Sequence, residues 1–343
     1  MKPTFRHRTA VLFLVAAMIV AAATVRVVSA QQPDLSEDQQ QEIMSLATIV
    51  GAALQGQIVP TVESFGWAND YLKSSEPMTF VPYTLSIDQA KVSTPTVAMY
   101  VFVAPQSAPA ADGAGADPEL PTPAFEDAYH VDLGPSSADG VYEIRRGFWV
   151  PGGDYTVYVG LSESGVPDGT EAKTMMFKQA VAVPNLWSDQ LATSSIIQAA
   201  SIESLRTPPP ADQQLANPYT LGTIRIVPKG VPEYLTSEEL SLVFLVYNAG
   251  STASGLPDVH VEYTFNTRGS DGDEFFNRTI PQDFNEQTLP PGFDLAAGHQ
   301  LVAGHAVPLG GFPEADYRLE IEVTDNTTGA SLIRHVDFSV SAF

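Results

Sequence analysis

From Tyr317 to Val323 the chain alternates without a slip. Tyr317, Leu319, Ile321 and Val323 are apolar or aromatic, while Arg318, Glu320 and Glu322 are charged. Period two is the pattern of a β-strand with one face on a core and the other in water. A turn, Pro313-Glu-Ala-Asp316, leads into it. The phrase has an earlier echo, Pro151-Gly-Gly-Asp154-Tyr155-Thr-Val157-Tyr-Val159, whose tyrosine lies 162 positions before Tyr317. A second pair of segments shares that offset: Val97-Ala-Met99-Tyr-Val101 against Val259-His-Val261-Glu-Tyr263. Two separate segments at one offset predict a tandem repeat. Two copies are too few for a solenoid, so the expectation is two domains in series.

The rest of the chain fits that frame. Strand-like runs fall at Thr79 to Ile87, Thr96 to Val103, Ala128 to Leu133, Val141 to Arg146, Tyr155 to Leu161 and Lys173 to Val183. A second series runs through Ser194 to Ser201, Tyr219 to Val227, Leu240 to Tyr247, Val259 to Thr267, Phe275 to Ile280, His299 to Val307, Tyr317 to Val323 and Leu332 to Val340. Each is bounded by Pro, Gly, Asp or Ser, and no long helical pattern separates the strands, which argues against an α/β fold. The Asp154-Tyr155 and Asp316-Tyr317 pairs at strand starts resemble the tyrosine corner of immunoglobulin-like sandwiches, where the phenol bonds back across the turn. The predicted fold is all-β: two tandem immunoglobulin-like antiparallel β-sandwiches over 65–185 and 193–343, joined by a connector at 186–192. Residues 105–123, rich in Ala, Pro, Gly and Asp, read as a flexible loop.

The N-terminus reads differently. Lys2, Arg6 and Arg8 precede an apolar run from Ala10 to Ala23, and Val28-Ser29-Ala30 offers small residues for cleavage. This predicts a secretory signal peptide over 1–30 and a periplasmic or secreted destination, with no integral span after cleavage. A helical segment is expected within 31–64. Ser36 and Gln39 form a capping box, Ile43, Leu46, Ala47, Val50, Ala53 and Leu54 make one apolar stripe, and Gly56 and Pro60 end it. One amphipathic helix is not stable alone, so it must pack on its own chain or on a partner.

Charge narrows the partners. Cleavage removes four basic residues and no acid, leaving 13 Lys and Arg against 40 Asp and Glu, a net of about −27. Nucleic acid and anionic membrane surfaces both need the opposite sign. The chain has no cysteine, so lipid anchoring through cysteine, disulfides and thiol catalysis are all excluded.

Candidate chemistry is sparse. Ser162 lies in Gly-Leu-Ser-Glu-Ser-Gly, the wrong spacing for a nucleophile elbow. Beyond the signal, His130, His260, His299, His305 and His335 form no metal pair at helical spacing. The best metal candidate is Asp271, Asp273 and Glu274, clustered acids in a glycine-containing turn that could give Ca2+ some of its oxygens. Trp67, Trp149 and Trp187 suit either core packing or a sugar-stacking platform.

Several phrases together carry a resemblance: Asp70-Tyr-Leu-Lys73, Phe80-Val-Pro-Tyr-Thr-Leu85, Pro218-Tyr-Thr-Leu-Gly222, Leu240 to Asn248, and Asp316 to Asp325 followed by Thr328-Gly329. Over residues 65–340 the chain resembles uncharacterised exported bacterial proteins with tandem sandwich domains. These are similar to the sandwiches found in GWxTD-domain and von Willebrand factor A-related exported proteins. The string Gly66-Trp67-Ala-Asn69-Asp70 has Asn69 where that name has Thr, and no Asp-x-Ser-x-Ser adhesion motif is present. The resemblance implies architecture only. The functional expectation is an exported, non-enzymatic structural or protein-binding module with a protein partner in the cell envelope. The alternatives are a carbohydrate-binding or carbohydrate-active module, and a calcium-stabilised adhesion protein.

Overall fold

The computed structural model describes residues 35–59, 65–106, 121–167 and 169–342. The expected signal peptide at 1–30 and most of the expected 105–123 loop lie outside the described residues. The fold is all-β with one N-terminal helix.

Helix α1 spans Glu37–Leu54. Ser36 is its N-cap, and the reciprocal bonds of the capping box with Gln39 are both present. It ends just before Gly56, whose φ of 75° places it in the left-handed region.

Eight strands follow: β1 Phe65–Asn69, β2 Leu72–Lys73, β3 Thr79–Asp88, β4 Thr96–Pro105, β5 Phe125–Asp132, β6 Val141–Val150, β7 Gly153–Glu163 and β8 Thr174–Val183. Sheet A places β1 and β2 along one side of β3 and β6 along the other; sheet B runs β5-β4-β7-β8. All these pairs are antiparallel. This is an immunoglobulin-like division of strands between two facing sheets. Val81, Tyr83, Leu85 and Ile87 of β3 meet Val97, Met99, Val101 and Val103 of β4 in the first core.

The second sandwich has twelve strand segments, where eight runs were expected. They are β9 Ala192–Thr193, β10 Ile197–Ser204, β11 Thr220–Leu221, β12 Ile224–Pro228, β13 Glu233–Leu235, β14 Glu239–Tyr247, β15 Val259–Gly269, β16 Gly272–Arg278, β17 Gln282–Phe284, β18 Leu301–Pro308, β19 Ala315–Asp325 and β20 Ala330–Ser341. Sheet C runs β11-β12-β10-β14-β18 with β9 also on β14; sheet D runs β13-β20-β19-β15-β16 with β17 also on β15. The extra segments are too short to show a period. β13, for instance, has three residues and pairs in parallel with β20.

The repeat is written on the inner faces. Tyr155 donates its hydroxyl to the Pro151 carbonyl at 2.9 Å, and Tyr317 donates to that of Pro313 at 2.7 Å. Each phenol thus closes the turn four residues upstream. The outer faces have diverged. Ala98, Tyr100 and Phe102 of β4 look outward and are buried beneath α1 with Leu46 and Val50. Their counterparts at offset 162 on β15 are His260, Glu262 and Thr264, which no helix covers among the described residues. Gly160 of β7 makes room for the helix: a Cβ there would sit 3.3 Å from Leu46 Cδ2. Helix α1 therefore packs on its own chain, and Glu42 pins it to His130 at 2.8 Å and to the Ser164 hydroxyl at 2.8 Å.

Candidate functional site

The two sandwiches meet through the outer faces of sheets A and C. Outer-face residues at the start of β3 and at the end of β14 are apolar. Phe80 and Leu72 pack with Leu245, Tyr247, Leu215 and the connector residue Leu186, flanked by Trp149. The Phe80 ring lies over Gly147, which pairs with Pro82; a Cβ at that glycine would fall 2.5 Å from the ring.

Both edge strands break where they meet. The gap between β1 and β2 and the gap between β9 and β10 hydrogen-bond to each other: Tyr71 N–H donates to Ser195 Oγ at 2.9 Å, and Ser195 N–H to the Tyr71 carbonyl at 3.0 Å. Ser194 patches its own gap by exchanging bonds with Leu245, at 2.9 Å each way. Asp70 sits at this junction beside Tyr219 and Ser195. Burial pushes its carboxyl up to about 6, against the opposing pull of hydrogen bonds from those two side chains.

Asn248 staples the junction from the other end. It is the one non-glycine residue with positive φ among the described residues, at 61°. Its amide donates to the carbonyls of Leu186 (3.2 Å) and Gln190 (2.9 Å), and its Oδ1 accepts from Lys73 Nζ at 2.8 Å. One side chain thereby ties β14, the connector and the first sandwich together.

Beside this staple lies a hollow of about 650 Å³, lined by Lys73, Ser74, Ser75, Trp187, Tyr247, Asn248, His299 and Gln300 among others. The Lys73 ammonium lies 4.4 Å from the Trp187 ring centroid and 5.9 Å from that of Tyr247. Its pKa is lowered by burial. Trp187 is 38% exposed and is fixed by its Nε1–H, which donates to the Met78 carbonyl at 3.0 Å. The other two tryptophans are half-buried in packing roles. Trp67 stacks on Tyr83 with centroids 4.6 Å apart, and Trp149 lies against Phe80 at 5.5 Å.

A second hollow, about 540 Å³, opens on the part of the sheet C outer face that the first sandwich leaves bare. It is lined by Ile202, Leu221, Ile224, Val243 and Val302, with Gln282, Gln300 and glycines 222, 298 and 304, and it contains no charged residue.

The acids singled out for calcium do not converge. Asp271 lies in the turn between β15 and β16. Asp273 is taken up by Arg318 at 3.2 Å and Arg268 at 3.9 Å, and Glu274 is exposed. Among the described residues, no three His, Cys, Asp or Glu side chains are placed to hold a metal ion. Asp154 and Asp316 flank the tyrosine corners, whose hydroxyl bonds go to the proline carbonyls. His305 faces the second core and stacks on Tyr263 with centroids 4.4 Å apart. Among the described residues no helix is long and apolar enough to cross a membrane.

Asp70, Lys73 and Asn248 carried no functional signal in the sequence beyond their place in the resemblance phrases. A half-buried acid and a clamped lysine become visible only when the second sandwich covers them.

No protein-family model matches the chain, and no curated protein matches it. Among solved structures it is similar to trypsin-activated alpha-2-macroglobulin from Escherichia coli (TM-score 0.23, 13% identity, 82% of this chain and 17% of that one). It is also similar to Salmonella alpha-2-macroglobulin reacted with methylamine (TM-score 0.19, 13% identity, 82% and 17%). A third match is Escherichia coli alpha-2-macroglobulin activated by porcine elastase (TM-score 0.22, 10% identity, 83% and 35%). The chain thus spans well under half the length of each of these proteins. At such scores its function rests on its own residues.

Proposed function

We propose that this chain is an exported, non-enzymatic module that holds a protein partner in the cell envelope, in the periplasm or outside the cell. One observation carries the reading: the uncharged hollow on sheet C borders the free edge of β18. Among the described residues β18 pairs with β14 on one side and with no strand on the other. Ile202, Ile224 and Val302 there are 48%, 37% and 39% exposed. A row of unpaired backbone groups beside an apolar shelf accepts an extended segment by strand addition, with side-chain pockets giving selectivity. The absence of charge in the lining favours an extended, uncharged segment. Such a segment would meet no repulsion there, although the rest of the protein is strongly acidic.

A photo-crosslinking amino acid placed at position 302, and separately at 224, tests this in cells. Both should yield one and the same protein adduct, and Ile202→Glu should abolish it. Position 333, also exposed but on sheet D, serves as control. Equal adducts from 333, or none from 302 and 224, would sink the proposal.

A further inference from the structure

The hollow at the domain junction has an unusual charge balance for this protein. The chain carries 40 Asp and Glu against 17 Lys and Arg, yet no acid lines the hollow. Lys73 does line it. Among the described residues the lysine ion pairs are made by Lys173 and Lys229, so the Lys73 ammonium has no carboxylate partner. Its hydrogen bond is to a neutral amide, Asn248 Oδ1, which leaves two of its three N–H groups uncommitted. Another interdomain hollow is built differently: Arg145 there is answered by Glu143, and Arg225 by Glu203 at 3.6 Å.

The remaining wall supplies the rest of a recognition set. Trp187 presents a fixed, part-exposed indole, and the largely buried Tyr247 ring backs the ammonium. His299 Nδ1 accepts the Asp294 backbone N–H at 3.0 Å, so the neutral ring keeps its proton on Nε2 as a donor. Ser74, Ser75 and Gln300 add neutral polar groups. The volume falls within the range of about 300–1,000 Å³ usual for small-molecule sites.

We propose that this junction hollow binds a uronate-bearing saccharide. The sugar carboxylate pairs with Lys73, its hydroxyls meet His299, Gln300 and the serines, and its ring packs on the Trp187–Tyr247 wall. Carboxylate on ammonium supplies a charge-assisted bond that the site lacks when empty, and the aromatic wall favours a ring over a flexible acid. This site is separate from the strand-addition surface and does not rest on that reading.

Calorimetry and tryptophan fluorescence on residues 31–343 test it with trigalacturonate, neutral galactotriose and a triglutamate peptide. Trigalacturonate should bind, should perturb the indole emission, and should bind roughly tenfold more tightly than the neutral trisaccharide, by an amount that shrinks as salt is added. Lys73→Met should remove that preference. Because Lys73 also braces the junction, His299→Ala is the companion variant; it lies on an exposed loop and should weaken binding with melting unchanged. The proposal is overturned if trigalacturonate fails to bind, if both variants bind it as the parent does, or if triglutamate binds equally well, which would assign the carboxylate to a peptide.

Discussion

Glu163 and Asp325 stand 162 positions apart, at the ends of β7 and β19, and each buries its carboxylate under backbone N–H donors from neighbouring loops. Glu163 accepts from Ser93 N–H at 2.5 Å and Lys173 N–H at 3.1 Å. Asp325 accepts from Gly250 N–H at 2.8 Å and Thr327 N–H at 2.9 Å, and from the hydroxyls of Thr327 and Thr328. The loop before β4 is thereby clasped to the end of β7, and the loop before β15 to the end of β19. Burial alone would raise both pKa values, but these donors outweigh it and hold them below the ordinary carboxylate range.

The clasps should make the protein acid-sensitive. A carboxyl depressed in the folded state contributes stability above its unfolded pKa, 4.5 for Glu and 3.8 for Asp. That contribution fades as pH falls through the lower folded value. Asp325→Ala should cost about 2–3 kcal/mol at pH 7 and less at pH 3. Urea unfolding at the two pH values measures this, and an equal loss at both would contradict it.

The tyrosine corners give a second expectation. Tyr155→Phe and Tyr317→Phe each remove one hydroxyl donor without changing the packed ring, for about 1 kcal/mol apiece. The sites lie in different cores, so the double variant should show the sum. Calorimetric melts of the three proteins decide it, and a loss in the double variant well above the sum would point to coupling across the junction.

Asp70 should oppose the clasps in its pH dependence. Its folded pKa is raised, from 3.8 to about 6, so the folded state prefers the protonated form. Its contribution is fully present below about 3.8 and is lost as pH rises through about 6. Above that pH an ionised carboxylate must sit buried at the junction. Asp70→Asn should therefore raise the melting temperature at pH 7.5 and change it little at pH 3.5. Destabilisation at pH 7.5 would instead mean that the ionised form is needed by Tyr219 and Ser195.

Helix α1 depends on a single glycine for its seat. Gly160→Val adds carbon where Leu46 and Val50 already lie in contact. Hydrogen exchange across 37–54 should rise steeply in this variant while β4 and β7 stay protected. Leu46→Ala, at a fully buried position, should cost about 2–5 kcal/mol. If exchange in α1 is unchanged by Gly160→Val, the helix is held mainly by the Glu42 bonds.

Elements that rest on local chemistry were legible in the sequence. Ser36 and Gln39 cap α1 because their partners are three residues away. The corner tyrosines bond four residues back, and the alternation of β19 needs only its own side chains. β13 was missed because three residues show no period. Glu163 was missed because its donors, Ser93 and Lys173, are 70 and 10 residues distant. The inner-face repeat survived because a sandwich core must keep apolar residues at fixed register. The outer faces were free to become a helix seat in one copy and a charged surface in the other.

By itself, then, the sequence determined the strands, the capped helix and the two-copy plan, since each follows from side-chain periodicity and short-range hydrogen bonding. The tertiary structure decided how the copies join. The apolar outer positions of β3 and β14 announce a second buried face but name no partner for it. Packing them against each other left Asp70 half-buried, Lys73 without an acid and the end of sheet C bare. Those three outcomes depend on which surfaces exclude water together, a property of the assembled sandwiches that no stretch of chain carries alone.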